Sequence, residues 1–300
     1  MGRCPRPESR RGLSSRTVPT CILRVICPDQ PGLVAAVANF VADHGGNIIH
    51  ADQHHDESTS IFFQLVQFDL EGFPLPRHEI GPAFAPVAER FGMSVDVRFC
   101  DERPRIAIMA SKAPHCLTEL LSDWRAGEIQ ADVALIVSNV PDHADLATFY
   151  GIPFHHLPVT PETKAAQEAR LLELLDQADV ELVVLARYMQ ILSPTIVDRY
   201  PNRIINIHHS FLPAFAGARP YHQAHERGVK LIGATAHYVT ADLDQGPIIE
   251  QDVVRVSHRK TVQDLTRRGS ELEKIVLARA LRYHLEHRIL VFGNKTVVFT

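Results

Sequence analysis

The run CILRVIC from Cys21 to Cys27 is short and β-prone, and it ends in the turn-forming PDQPG. Beyond that turn Leu33, Val34, Val37, Phe40 and Val41 recur at helical spacing up to His44, where Gly45 and Gly46 supply a stop. Asn47 to Gln53 and Ser60 to Leu70 read as strands on either side of a polar HHDEST turn. Ile80 to Phe91 carries a second helical pattern, although Pro86 interrupts it, and MSVDVRFC closes the segment as a last strand. The order βαββαβ predicts a ferredoxin-like domain over 20–101.

After the charged hinge DERPR the rhythm changes. IAIMAS is followed by a helix around Leu117 to Arg125, then ADVALIVSNV, a helix near Asp142 to Tyr150, and the short strand FHHL. A helix from Glu162 to Ala178 and the apolar run LVVLA come next. Short apolar runs alternating with helical patterns predict an α/β, Rossmann-like, mostly parallel sheet covered on both faces over 102–300. No G-x-G-x-x-G follows the first strand and no P-loop pattern occurs, which removes the main support for dinucleotide or P-loop binding.

Composition narrows the function classes. A net charge of -4 with scattered Lys and Arg offers no continuous basic face for nucleic acid. No apolar run approaches the roughly 20 residues that cross a bilayer, so the chain reads as soluble, without a membrane partner. Its five cysteines form no C-x-x-C pair, which fits a reducing cytoplasm. Residues 1–19 hold Arg3, Arg6, Arg10, Arg11 and Arg16 without an apolar core, so they read as a disordered leader. Their Arg and Ser content would also suit a transit peptide, but Pro5 and Pro7 interrupt any amphipathic helix.

The candidate chemistry lies where the strand RIIN ends. In doubly wound sheets ligands sit beyond the carboxyl ends of strands, and Asn206 and His208 are two apart, so their side chains share a face. His209 points the other way and suits packing or the substrate entrance. A second polar tip is HYVTADLDQGPII, whose loop carries Asp242 and Asp244; Asp244 is the candidate partner of His208, and His237 a supporting group. The seventeen histidines raise the question of a metal, but no H-E-x-x-H or similar zinc spacing appears, so no metal ligands are assigned.

N-I-H-H-S-F-L-P from Asn206 resembles the N-I-H-x-S-x-L-P motif of the folate-dependent formyltransferase family. R-Y-M-Q-I-L-S-P from Arg187 looks like that family's folate-binding loop, and the segment from His237 like its catalytic-aspartate loop. The resemblance implies catalysis by Asn206, His208 and Asp244. It also implies a pterin held by the backbone of Gln190 and Leu192, with Met189 and Ile191 walling the pocket. D-Q-P-G-L-V from Asp29 and H-G-G-N-I from His44 resemble the ACT family of small-molecule sensors, which implies effector contacts at Asp29, Gly32 and Asn47. An ACT-like segment joined to this catalytic segment, with the stretch G-A-R-P-Y-H-Q-A-H-E-R-G-V-K from Gly217, looks closest to the formyltetrahydrofolate deformylases. Two departures stand out: S-N-V-P-D has Val140 where the pattern has histidine, and FFQLVQF lacks an expected Arg.

The resemblance implies hydrolysis of 10-formyltetrahydrofolate to tetrahydrofolate and formate, supplying formate for purine synthesis, with folate as substrate and no bound cofactor. It also implies an amino-acid effector, glycine or methionine, and a homo-oligomer. The alternative is formyl transfer to an amine acceptor, which would use the same three residues. Pro220 to His222 favours the hydrolase version. A non-catalytic folate or amino-acid sensor would have no need of Asn206, His208 and Asp244 together.

Overall fold

The computed structural model describes residues 19–213 and 220–300. The leader read in 1–19, apart from Pro19, and the start of the Gly217 stretch lie outside the described residues.

The first sheet grows from strict alternation. In β1 (Thr20–Pro28) Cys21, Leu23, Val25 and Cys27 face one way, Ile22, Arg24 and Ile26 the other. The first set packs under α1 (Leu33–Asp43) and α2 (Arg77–Phe91) together with Phe62, Val66 and Phe68. With β2 (Ile48–Asp56), β3 (Ile61–Asp69) and β4 (Ser94–Phe99) the antiparallel order is β2-β3-β1-β4. Two expectations shift here. His54 and His55 lie inside β2, paired with Phe63 and Phe62, so the turn is only 57–60. The second helix starts three residues before Ile80 and contains both Pro82 and Pro86, which stand on its exposed side. There the carbonyls that lose an amide partner are solvated.

The second sheet has the order β11-β10-β9-β8-β5-β6-β7. Its parallel part comprises β5 (Arg105–Ala110), β6 (Asp132–Ser138), β7 (Phe154–His156), β8 (Leu182–Ala186) and β9 (Ile204–His208). On one face lie α3 (His115–Ala126), α4 (Ala144–Tyr150) and the 24-residue α8 (Val262–Leu285). On the other lie α5 (Lys164–Gln177) and α6 (Pro194–Arg199). A capping box between Thr261 and Asp264 starts α8. After α7 (Pro220–Arg227) the strand β10 (Leu231–Tyr238) joins antiparallel to β9 and β11 (Ile248–Arg255) antiparallel to β10, so the sheet is mostly but not wholly parallel.

The hairpin β12 (Ile289–Phe292) and β13 (Lys295–Val298) covers the free face of the first sheet, where Leu290 and Phe299 meet Ile22, Phe63 and Leu65. No helix among the described residues is long and apolar enough to cross a membrane.

Gly269 lets α7 approach α8. A Cβ there would lie 1.9 Å from the Tyr221 hydroxyl and 2.5 Å from a ring carbon. Helix propensity alone would make Gly269→Ala stabilising by about 0.5–1 kcal/mol. Overpacking against a buried ring should instead make it destabilising by about 1–3 kcal/mol. Urea unfolding of the two proteins decides between these signs.

Candidate active site

Asn206 and His208 lie two apart at the end of β9 and share the face that holds Ile204, α5 and α6 further along the sheet. Among the described residues, no helix lines that face at Asn206, His208 and His237. Two loops do: 187–193 after β8 and 239–247 between β10 and β11. They enclose a cavity of about 360 Å³, lined by Met189, Gln190, Ile191 and Leu192 from the first and Asp244 from the second. Asn206, His208, His209 and His237 line it too.

The aspartate loop does not arrive as the sequence suggests. Because β10 runs against β9, Tyr238 pairs with Ile205, and the loop departs beside the start of β9 rather than at its carboxyl end. It then folds back over the face. Gly246 permits the turn, since a Cβ there would lie 1.8 Å from the Tyr238 carbonyl oxygen. Asp244 and Arg187 both have positive φ, 56° and 63°, an uncommon state for residues with a Cβ and one that gathers at functional sites.

Hydrogen bonds then fix the tautomers. His237 is buried, and burial pushes its pKa down, so the ring is neutral. Its Nδ1 lies 2.9 Å from the Tyr238 carbonyl, which can only accept, so the proton sits on Nδ1. Nε2 therefore accepts from the Asn206 amide at 3.2 Å. That bond orients Asn206 and leaves one amide hydrogen uncommitted. His208 Nδ1 lies 3.3 Å from Asp244 Oδ1, and this hydrogen bond holds the Asp244 carboxyl below its usual range. His208 Nε2 is buried and has no hydrogen-bond partner among the described residues.

His209 lies beyond the end of β9, so strand alternation does not turn it away: its ring centroid is 5.2 Å from that of His208 and 6.0 Å from Tyr221. It also borders an apolar cavity of about 350 Å³ beside Phe211 and Tyr221. The chain after His208 is pinned by Thr235, whose hydroxyl donates to the Ser210 carbonyl and accepts from the Leu212 amide.

Several residues at the site were not singled out in the sequence. Ser111 donates to Asn139 and accepts from the Met189 amide at 2.9 Å, tying the end of β5 to the folate-loop candidate. His143, three residues after Val140, is buried with Nε2 on the Ser111 carbonyl. Glu273, buried on α8, takes His115 Nε2 at 2.8 Å, the Tyr221 hydroxyl, and Arg187 Nε at 3.3 Å. Burial would raise its pKa, but those partners outweigh burial and the carboxyl lies below its usual value. A charged residue facing inward on an otherwise apolar helix stripe was the only signal available. His115, Cys116 and Glu273 form the group among the described residues whose donors approach closely enough for a metal. Burial pushes the Cys116 thiol up, and Glu273 is already committed to cations and hydroxyl, so the donor set is poor for one.

The three residues expected to touch an effector are not gathered in one chain. Asp29 and Gly32 follow the end of β1, whereas Asn47 lies beside its start, bonded to Asp69, which pairs with Thr20. Nine strand residues separate them, a span of about 30 Å.

The comparisons agree with this architecture. Residues 22–72 match the ACT domain model and residues 104–281 the formyl transferase model. A crystal structure of a glycinamide ribonucleotide transformylase from Symbiobacterium toebii matches 66% of the chain at 36% identity, TM-score 0.63, covering 95% of that protein. The catalytic segment is thus of the formyl transferase class, preceded by an ACT domain. A formyltetrahydrofolate deformylase from Synechocystis is 56% identical over 93% of this chain and 98% of its own length. The crystal structure of another, from Pseudomonas syringae pv. tomato, superposes with TM-score 0.93 at 46% identity, covering 96% of this chain and 97% of that one. The chain belongs to the formyltetrahydrofolate deformylase family.

Acid should weaken the fold in a defined window. Burial, with nearby cationic groups, lowers His209 and His287 to about 4 and His284 to about 3. The unfolded chain takes up protons near pH 6.5, the folded one only further down, so stability falls as pH drops between about 6.5 and 4 and is insensitive to these groups above that. Asp244 and Glu273, with lowered pKa values, add stability above the ordinary carboxylate range that is lost only in stronger acid. Thermal melts between about pH 7.5 and 4.5 should show Tm declining from near 6.5; a flat profile to pH 5 would contradict the buried neutral histidines.

Proposed function

We propose that this protein hydrolyses 10-formyltetrahydrofolate to tetrahydrofolate and formate. The observation that carries the reading is the buried, unpartnered Nε2 of His208, held beside an amide hydrogen of Asn206 that His237 leaves free. Both groups belong to side chains on one face of β9 that line the same cavity. A formyl oxygen becoming an oxyanion fits that place. The full-length likeness to deformylases, against a transformylase likeness confined to two thirds of the chain, favours water over an amine as acceptor.

In this reading the pterin lies against 189–192, with the Gln190 and Leu192 backbone as its hydrogen-bonding edge. Water attacks the formyl carbon while Asp244 accepts its proton, and the carbonyl electrons move to oxygen, where Asn206 Nδ2–H and the protonated His208 Nε2–H stabilise them. Collapse of the tetrahedral intermediate breaks the C–N10 bond as N10 takes the proton that Asp244 accepted from water, leaving tetrahydrofolate and formic acid, which ionises to formate. Asp244 has a second task, since its carboxylate accepts from His208 Nδ1–H and holds the ring in place.

The residues divide by role as well as by fold. We assign catalysis to 102–300 and a modulating role to 20–101, with an amino acid as the effector class and assembly of copies through the N-terminal segment. The hairpin contact complicates separation: removing 20–101 uncovers Leu290 and Phe299. A chain starting near Arg103 should keep turnover but lose solubility and thermal stability.

The direct test is release of formate from 10-formyltetrahydrofolate by purified protein without an added amine. Formate appearing only when an amine is supplied, or a formylated amine as the sole product, transfers the assignment to the transferase reading. Asn206→Ala should lower kcat by about 100- to 1,000-fold with little change in KM, and His208→Ala and Asp244→Ala should be at least as severe. His209→Ala should be milder, and near-normal turnover in His208→Ala would refute the mechanism.

A further inference from the structure

A cavity larger than the candidate active site, about 730 Å³, lies between the first sheet and the amino-terminal ends of the catalytic strands β5, β8 and β9, where Pro104, Glu181 and Arg203 line it. Its walls come from β1 and β4 on one side, and from the end of β10, the end of α8 and β12 on the other. Arg24 is part of its lining. It occupies the middle of β1 on the face where its neighbours Ile22 and Ile26 meet the C-terminal hairpin, with only 17% of its side chain exposed.

Charge in this cavity is unbalanced. Arg24 and Arg98 share one carboxylate, Asp96, and Arg24 Nη1 donates to the Ile289 carbonyl at 3.0 Å. Arg24 Nε is buried with no acceptor. Burial and the nearby Arg98 pull the Arg24 pKa down to about 10, the mark of a cation that lacks compensation. The facing histidines, His284 and His287, are held neutral and supply no negative charge. A planar anion with two oxygens matches a guanidinium fork better than any other small group. Arg103 and Arg203 line the cavity as well as Glu102 and Glu181, so four arginines face three carboxylates and the single surplus positive charge suits a monoanion rather than a doubly charged phosphate.

The cavity touches the active site through one strand. His237 and Tyr238 are consecutive in β10 and therefore face opposite sides of the sheet. The Tyr238 hydroxyl lines the cavity and bonds His284 Nδ1 at 2.7 Å. Its carbonyl accepts from His237, and its amide donates to the Pro247 carbonyl, closing the base of the loop that carries Asp244.

We propose that this cavity binds a small carboxylate through Arg24 and Arg98, and that Tyr238 couples its occupancy to the Asn206–His237–Asp244 group. The carboxylate could be that of a free amino acid or, if the hydrolase reading holds, the product formate.

Calorimetric titration of the full chain with glycine, methionine and formate distinguishes these sources, with methylammonium and inorganic phosphate as controls. At least one carboxylate should bind, the controls should not, and its Kd should weaken by roughly tenfold or more in Arg24→Gln and in Arg98→Gln. Arg98 is half exposed, so its variant keeps the test readable if Arg24→Gln fails to fold. Binding should persist in Asp29→Asn and Asn47→Ala. No carboxylate binding, an unchanged Kd in the arginine variants, or loss in the Asp29 and Asn47 variants instead would overturn the site. The coupling predicts that a folate analogue changes the carboxylate Kd, and that the effect shrinks in Tyr238→Phe. An identical Kd with and without the analogue in the wild-type chain overturns the coupling. Binding is read without turnover, so failure of the hydrolase assay leaves this result intact, and the reverse.

Discussion

The antiparallel pairing of β10 with β9 is the constraint on which the site depends. Its register sets His237 opposite Asn206, and because paired residues project to one face, the two side chains meet without help from any loop. A slip of one residue would turn His237 into the helix-packed face and bring Tyr238 into the site. The same reversal sends the 239–247 loop back over the sheet, which is how Asp244 reaches His208 although the two belong to opposite ends of neighbouring strands.

Burial then does electrostatic work in two ways. It keeps His237 neutral, which fixes its proton on Nδ1 and makes it an acceptor for Asn206. A protonated His237 would compete with Asn206 as a donor and free the amide to rotate. Buried charges, by contrast, are each answered: Asp244 by His208, Glu273 by His115, Tyr221 and Arg187. Glu273 thereby ties α8 to the start of α3, to α7 and to the first residue of the folate-loop candidate. Arg24 is the exception, with one carboxylate shared between two guanidiniums.

The two segments are joined more intimately than a hinge sequence such as DERPR suggests. The C-terminal hairpin belongs to the chain's catalytic half in sequence but covers the N-terminal sheet in space. A β-sheet with helices on one face still has an apolar second face to bury. Ile22, Phe63 and Leu65 find that cover in Leu290 and Phe299, which also explains why β1 and β3 read as nearly continuous apolar runs.

Local pattern determined a good deal. Periodicity of two and of 3.6 marked out the strands and helices from β1 to β8, though not α8 or the hairpin of β12 and β13, because side-chain direction within an element is a local property. The spacing of Asn206 and His208 placed them on one face for the same reason, and motif resemblance pointed to the folate loop and to Asp244. What failed was local punctuation: Pro86 suggested a broken helix where solvent exposure lets it continue, and the polar HHDEST suggested a turn where edge strand β2 tolerates polar residues on its exposed sides. Only the tertiary structure decided the direction of β10, the tautomer of His237, and the separation of Asn47 from Asp29 and Gly32. It alone assembled Ser111, Arg187, Tyr221 and Glu273, and put Arg24 across from Tyr238. Each of these depends on which strand lies beside which, a relation between residues far apart in sequence that no periodicity within either one encodes.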